Sequence, residues 1–280
     1  YKADFATRDK EERYKWQAVG TYKKIWDIDT ESFAPMLKAA FKDTSNLLRS
    51  VNYFPYKMIT KFAEEEPETV RLLFKTLYNE ELPFEERCSR FQDGFNEYYK
   101  PQNLRHYQDL HAISVYLTCE YPEKYYIYQY AIYDTNVKAL KAEYLIKANG
   151  KPETMIEGFR FYDAVRDELA KDTELVRLNN KYSLENYKDE NLNTLTIDVG
   201  FFIYKKNEDN VTWFPSIKEY NPEITVEEWK ELYNDNEVFD SDSKQLMNEM
   251  MLMDGKATCS QLAEKFLGDK SKFSIYNNKF

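Results

Sequence analysis

Few residues in this chain have the types and spacing that catalysis needs. His106 and His111 are its two histidines, and a step of five does not place two metal ligands on one helix face. With Arg105, Tyr107 and Gln108 around it, His106 belongs to a polar cluster at a predicted helix start. Such a cluster suits capping, or alternatively the grip of a phosphate or a base edge. Asp198 is the one acid inside the apolar run LTIDVGFFIY. It reads as a hydrogen-bonded structural carboxylate; the alternative is a cryptic metal-dependent nuclease, which requires other carboxylates to converge on it. Cys88, Cys119 and Cys259 are odd in number, far apart and set in apolar helical patterns, which argues against disulfides and thiolate metal sites and for a reducing cytoplasm.

The glycines fall at 20, 94, 150, 158, 200, 255 and 268, too dispersed to build a phosphate-cradling loop. No Gly-x-Ser-x-Gly elbow is present, so acyl transfer is not expected either. No catalytic, cofactor-binding or metal site is therefore expected in these residues.

Recognition chemistry is better represented. The chain holds 24 Tyr and 18 Phe, with Tyr121, Tyr125, Tyr126, Tyr128, Tyr130 and Tyr133 close together; such rings either fill a core or present faces on which bases stack. Basic residues interleave with aromatics near the start: Arg13, Lys15, Lys23 and Lys24 flank Tyr14, Trp16 and Tyr22, and Arg49 and Lys57 flank Asn52, Tyr53 and Phe54. That pattern fits a nucleic-acid face, although lysines on an amphipathic helix give the same string. The candidate DNA contacts are Arg13, Lys15, Trp16, Lys23, Arg49, Asn52, Tyr53, Lys57, Arg105, His106, Gln108, Tyr126, Tyr128 and Tyr130.

The elements that must position these residues are mostly helical. Trp16, Val19, Tyr22 and Trp26 recur at helical steps, as do Phe33, Met36, Leu37, Ala40 and Phe41 after a cap at Asp29 or Thr30. Pro67 and Pro83 open two further helices, and Leu110 to Tyr121 forms another that Pro122 stops. Residues 124–130, rich in aromatic β-formers, read as a strand with Tyr126, Tyr128 and Tyr130 on one face. Helices resume near Asp134 and from Pro152 to Lys171. Residues 195–204 are also read as a strand, a choice periodicity alone does not force. Capping boxes begin helices at Thr225 and Thr258. The expected fold is mainly α with a small β element (α+β): a recognition domain over 1–204, a linker or surface excursion over 205–222, and a helical module over 223–280 resembling a truncated winged helix.

Charge refines this picture. The net charge of −10 opposes indiscriminate binding of nucleic acid. Residues 1–60 nevertheless hold eleven Lys and Arg against eight Asp and Glu, a balance of +3, whereas 181–240 hold six against fourteen, a balance of −8. No stretch approaches the roughly eighteen apolar residues of a membrane span, and Tyr1 to Arg13 has no signal-peptide core.

Several strings together, Tyr14-Lys15-Trp16-Gln17-Ala18, Ile25-Trp26-Asp27-Ile28-Asp29, Asn52-Tyr53-Phe54-Pro55, His106-Tyr107-Gln108, Tyr121-Pro122-Glu123-Lys124-Tyr125-Tyr126-Ile127-Tyr128 and LTIDVGFFI, resemble the N-terminal region of bacterial McrB-type AAA+ restriction proteins. The resemblance spans nearly the whole chain. It implies a region that selects duplex DNA, modified or plain, for a phage-defence restriction system. It also implies a separate AAA+ motor using GTP or ATP with Mg, a nuclease subunit engaged through that motor, and oligomerisation through it, the fragment alone being compatible with a monomer. The rival expectation is an interaction or assembly module, to which the acidic 181–240 stretch points.

Overall fold

The computed structural model describes residues 1–5, 11–48, 55–147, 149–181, 184–207, 225–235, 239–253, 257–272 and 276. The protein is mainly α, and no strand occurs among the described residues. The chain divides into two compact units, Tyr1–Trp213 and Phe214–Phe280.

The first unit contains ten described α-helices: α1 Tyr14–Ile25, α2 Phe33–Ala40, α3 Pro55–Glu65, α4 Pro67–Tyr78, α5 Phe84–Tyr99, α6 Leu110–Glu120, α7 Tyr130–Ala139, α8 Pro152–Leu169, α9 Thr173–Lys181 and α10 Asn193–Lys206. Consecutive members α1 to α5 pack against their neighbours. α6 is buried along almost its whole length, against α1 and α4. Pro67 occupies the first turn of α4, where its missing N–H costs no hydrogen bond. The cap of α2 is Ser32, not Asp29 or Thr30; Asp29 instead pairs with Lys75 at 2.7 Å.

Aromatic rings dominate the core. Phe74 sits within ring-contact distance of Trp26, Phe41, Tyr78, Phe91 and Tyr116, so α4, α5, α6 and the residues that end α1 and α2 meet around one side chain. Buried tyrosines keep their hydroxyls satisfied by reaching polar partners. Tyr22 donates to Glu120 at 2.7 Å, and Tyr99 donates to the Met58 carbonyl at 2.6 Å.

Both expected strands are corrected. Residues 125–129 are irregular, with Gln129 extended in φ and ψ, but side chains of α6 satisfy this backbone. The Tyr128 N–H donates to Ser114 Oγ at 2.8 Å, and the Tyr128 carbonyl lies 3.0 Å from His111 Nδ1. Tyr126 and Tyr128 are both buried, whereas Tyr130 begins α7 and is exposed, so the three do not share a face. Residues 195–204 lie inside α10, which is buried on all sides from Asn193 to Gly200. A helix enclosed on every side carries no polar stripe and is therefore indistinguishable by periodicity from a buried strand.

α10 packs on α1, α7 and α8. Its close approach depends on Gly200, where a Cβ would lie 1.9 Å from the Tyr162 hydroxyl and 2.8 Å from Asn136 Nδ2. Its first turn is held by Asp189, whose carboxylate accepts the N–H groups of Thr194 at 3.1 Å and Leu195 at 2.7 Å. Burial pushes the Asp189 carboxyl up to about 6, against the opposing pull of those amides.

The second unit contains α11 Val226–Asn234, α12 Ser241–Met251 and α13 Cys259–Leu267. Thr225 with Glu228 and Thr258 with Gln261 form complete capping boxes. Leu246, Leu262, Ala263 and Tyr276 make its core. No β wing accompanies these helices among the described residues.

Candidate functional site

The sequence-predicted contacts separate into distinct places. Lys15 is buried, its ammonium 2.8 Å from Asp198 Oδ1 and also bonded to Glu12. Burial works against that charge, but Asp198 and the neighbouring groups outweigh it and raise the lysine's pKa. Tyr1 donates to the other carboxylate oxygen of Asp198 at 2.6 Å. Asp198 is thus a structural carboxylate holding α1 to α10, and Lys15 is no surface contact. Trp16 packs on the small apolar cluster of Phe5, Leu175, Leu192, Leu195 and Val199. Lys23 is exposed and donates to the Glu120 carbonyl, while Arg13 is half-buried. Tyr126 donates to Asp163 at 2.9 Å from the core. Arg49, Asn52 and Tyr53 lie outside the described residues.

Arg105, His106 and Gln108 do come together. α5 ends at Tyr99, a 3-10 turn follows over Lys100–Gln102, and Asn103 takes a left-handed conformation at φ 54°. Asparagine tolerates this region better than most residues. The chain then runs irregularly to Asp109, passing a second left-handed residue, Tyr107 at φ 58°. A ring-bearing side chain in that region is costly, so surrounding bonds must hold it. Gln108, fully buried, supplies them: its Nε2 donates to the carbonyls of Pro55 at 2.9 Å and His106 at 3.1 Å, and its Oε1 accepts from the Tyr116 hydroxyl at 2.7 Å. Gln92 Nε2 donates to the Gln108 carbonyl at 3.0 Å. Asp109 closes the segment as N-cap of α6, accepting from the Ala112 N–H at 3.0 Å. Gln108 thereby also grips Pro55, the first residue of α3; Lys57, two residues further on, is exposed and is not among the residues lining this place.

The result is an open groove of about 520 Å³ lined by residues of α5 and of the 100–109 segment. Its wall carries the amides of Gln92, Asn96 and Asn103, the cations Lys100 and Arg105, and the Tyr107 ring. The Arg105 guanidinium lies over that ring, 5.4 Å from its centroid. His106 also lines the groove. Its Nδ1 accepts the Gln108 N–H at 2.9 Å, which leaves the ring proton on Nε2, 3.0 Å from Asn96 Oδ1. This geometry suits the neutral ring. Burial lowers the His106 pKa, Arg105 lowers it further, and Asp109 opposes only in part.

Such a wall can donate hydrogen bonds to phosphate oxygens or base edges and offer an aromatic face with an adjoining guanidinium. It holds no nucleophile and base pair. No cluster of three or more His, Cys, Asp or Glu fit for a metal occurs among the described residues. Sequence reading missed Gln92, Asn96, Lys100 and Asn103; the available signal was the i, i+4, i+8 recurrence of Gln92, Asn96 and Lys100, which sets three polar side chains on one face. No described helix is long and apolar enough to cross a membrane.

Comparison of the chain with protein-family models, with curated proteins and with solved structures returned no match.

Proposed function

We propose that this chain is a DNA-recognition region of the kind that selects targets for a McrB-type restriction protein, with the groove between α5 and the start of α6 as its contact centre. The nucleotide-driven motor, with GTP or ATP and Mg, and the nuclease subunit are assigned to other parts of such a system. The observation carrying this reading is the groove wall, where Lys100 and Arg105 stand among Gln92, Asn96, Asn103 and Tyr107 on a backbone held at two left-handed residues. Strain of that kind persists only where the surroundings over-determine it, and it concentrates at binding sites.

Lys100 and Arg105 give two cations for phosphate contact on a chain whose overall charge is −10. Binding should therefore be confined to this patch and steeply salt-dependent, the logarithmic slope being about −0.9 per phosphate contact. The test is titration of the chain with matched plain, methylated and hydroxymethylated duplexes across a salt series. Removal of both Lys100 and Arg105 side chains by alanine substitution should lower affinity at least roughly tenfold and flatten the salt slope by about 2. Absence of duplex binding at low salt, or equal binding by the double variant, overturns the proposal.

A further inference from the structure

The groove of the first unit contains a ring whose hydrogen bonds fix its protonation state. His106 is half-buried. Its Nδ1 accepts the N–H of Gln108, two residues on, at 2.9 Å, while its Nε2–H donates to Asn96 Oδ1 at 3.0 Å. A side-chain acceptor bonded to the amide two positions ahead closes a turn as an asparagine or aspartate does. The residue spanned by this turn is Tyr107, held at φ 58°, and the Arg105 guanidinium lies over its ring. One bond therefore fastens both the strained backbone and the cation–aromatic pair of the groove wall.

A second ring proton has one place to go, Nδ1, where it would face the Gln108 N–H. Two donors then meet with no acceptor between them, and the turn loses its closure. The groups around the ring come from each neighbouring element. Burial, and after it Arg105, disfavours the proton, and Asp109, the N-cap of α6, opposes them. Lys100 lines the groove beside the ring, and α5 adds the Phe95 and Tyr99 rings at 5.8 and 6.5 Å. α3 and the interior of α6 are joined to it through Gln108, by the Pro55 carbonyl and the Tyr116 hydroxyl. His111 faces the carbonyls of Tyr128 and Leu47 instead.

We infer that His106 is a proton-operated latch of the groove: neutral, it holds the wall in its duplex-binding form, and protonated, it releases Tyr107 and Arg105 from that form. The latch rests on the groove being the DNA contact proposed above. Its sign sets it apart, because charge alone works the other way. An added cation beside Lys100 and Arg105 attracts phosphate, and the loss of carboxylate charge toward acid does the same.

The experiment follows the full 280-residue chain and its H106N variant between about pH 7.5 and about pH 5. Asparagine can accept the Gln108 N–H as His106 does, but it takes no proton. Asp189, whose carboxyl also titrates in this window, is present in both. Without DNA, nuclear magnetic resonance of the wild type should show the Gln108 amide shifting in step with the His106 ring, and in H106N that titration should be gone. With a plain duplex at low salt, each protein is compared with itself at the two pH values. Wild-type affinity should fall about fivefold or more toward acid, the fraction still latched setting the loss, whereas H106N should hold or gain affinity. A Gln108 amide that ignores the titration of the His106 ring overturns the latch. Wild-type affinity that holds or rises toward acid overturns it too, as does an equal fall in H106N. Failure of duplex binding at about pH 7.5 is instead the failure of the DNA reading, and the Gln108 amide then decides alone whether His106 sets the wall.

Discussion

Lys15 shows how a residue's chemistry can be legible while its place is not. In sequence it sits between Tyr14 and Trp16 like a lysine on a nucleic-acid face; in the structure it is buried against Asp198. The missing signal was at the other end of the bond, since an acid inside an apolar run needs a buried partner. Removing one member of such a pair leaves an uncompensated charge, so Asp198→Ala should destabilise the first unit by about 3–5 kcal/mol in chemical denaturation. Lys100→Ala, at the exposed groove wall, should change stability by less than about 0.5 kcal/mol. His106 and Asp189 predict opposite pH dependences. The His106 pKa is lowered in the fold, so its contribution to stability is present above the ordinary histidine value and is lost as pH falls through the lowered one. His106→Gln should flatten that acid limb in thermal melts recorded against pH. The Asp189 pKa is raised from 3.8 to about 6, so its contribution is present at low pH and is lost as pH rises through about 6. Asp189→Asn should remove this second limb.

Among the elements, the helices α1, α2, α4 and α5 and both capping boxes were legible, because one polar face and fixed cap residues leave a periodic trace. α10 left none. It is buried all round from Asn193 to Gly200, and its β-branched and aromatic composition imitates a strand. Its true signature is Gly200, a residue without a side chain where α10 meets Tyr162 and Asn136. Gly200→Ala should force these groups apart and cost about 1–3 kcal/mol or more, against a near-neutral effect for Gly150→Asn, whose Cβ meets nothing within 4 Å and whose left-handed φ of 62° asparagine tolerates. Denaturation midpoints of the two variants compare them directly. The 124–130 segment misled for a related reason: aromatic residues favour extended backbone, and here Ser114 and His111 supply the bonds a partner strand would have given.

At the scale of the whole molecule, the tyrosine excess has separated into a large structural part and a small surface part. Tyr22, Tyr99, Tyr116, Tyr126, Tyr133 and Tyr162 are fully buried, whereas Tyr107 faces the groove. Charge is likewise divided. Lys100 and Arg105 line one groove of the first unit, and the acids of α11 lie in the second. Composition averaged over the chain conceals this division, and only the cluster at 105–108 was visible as a site beforehand. The role proposed for the groove is DNA recognition. Its most direct measurement is the equilibrium affinity of the chain for a DNA duplex between roughly 50 and 200 mM salt, wild type against Lys100→Ala/Arg105→Ala. Binding should weaken steeply with salt and be reduced at least about tenfold in the variant. Contradiction would be an affinity too weak to measure at the lowest salt, or one that the two substitutions leave unchanged.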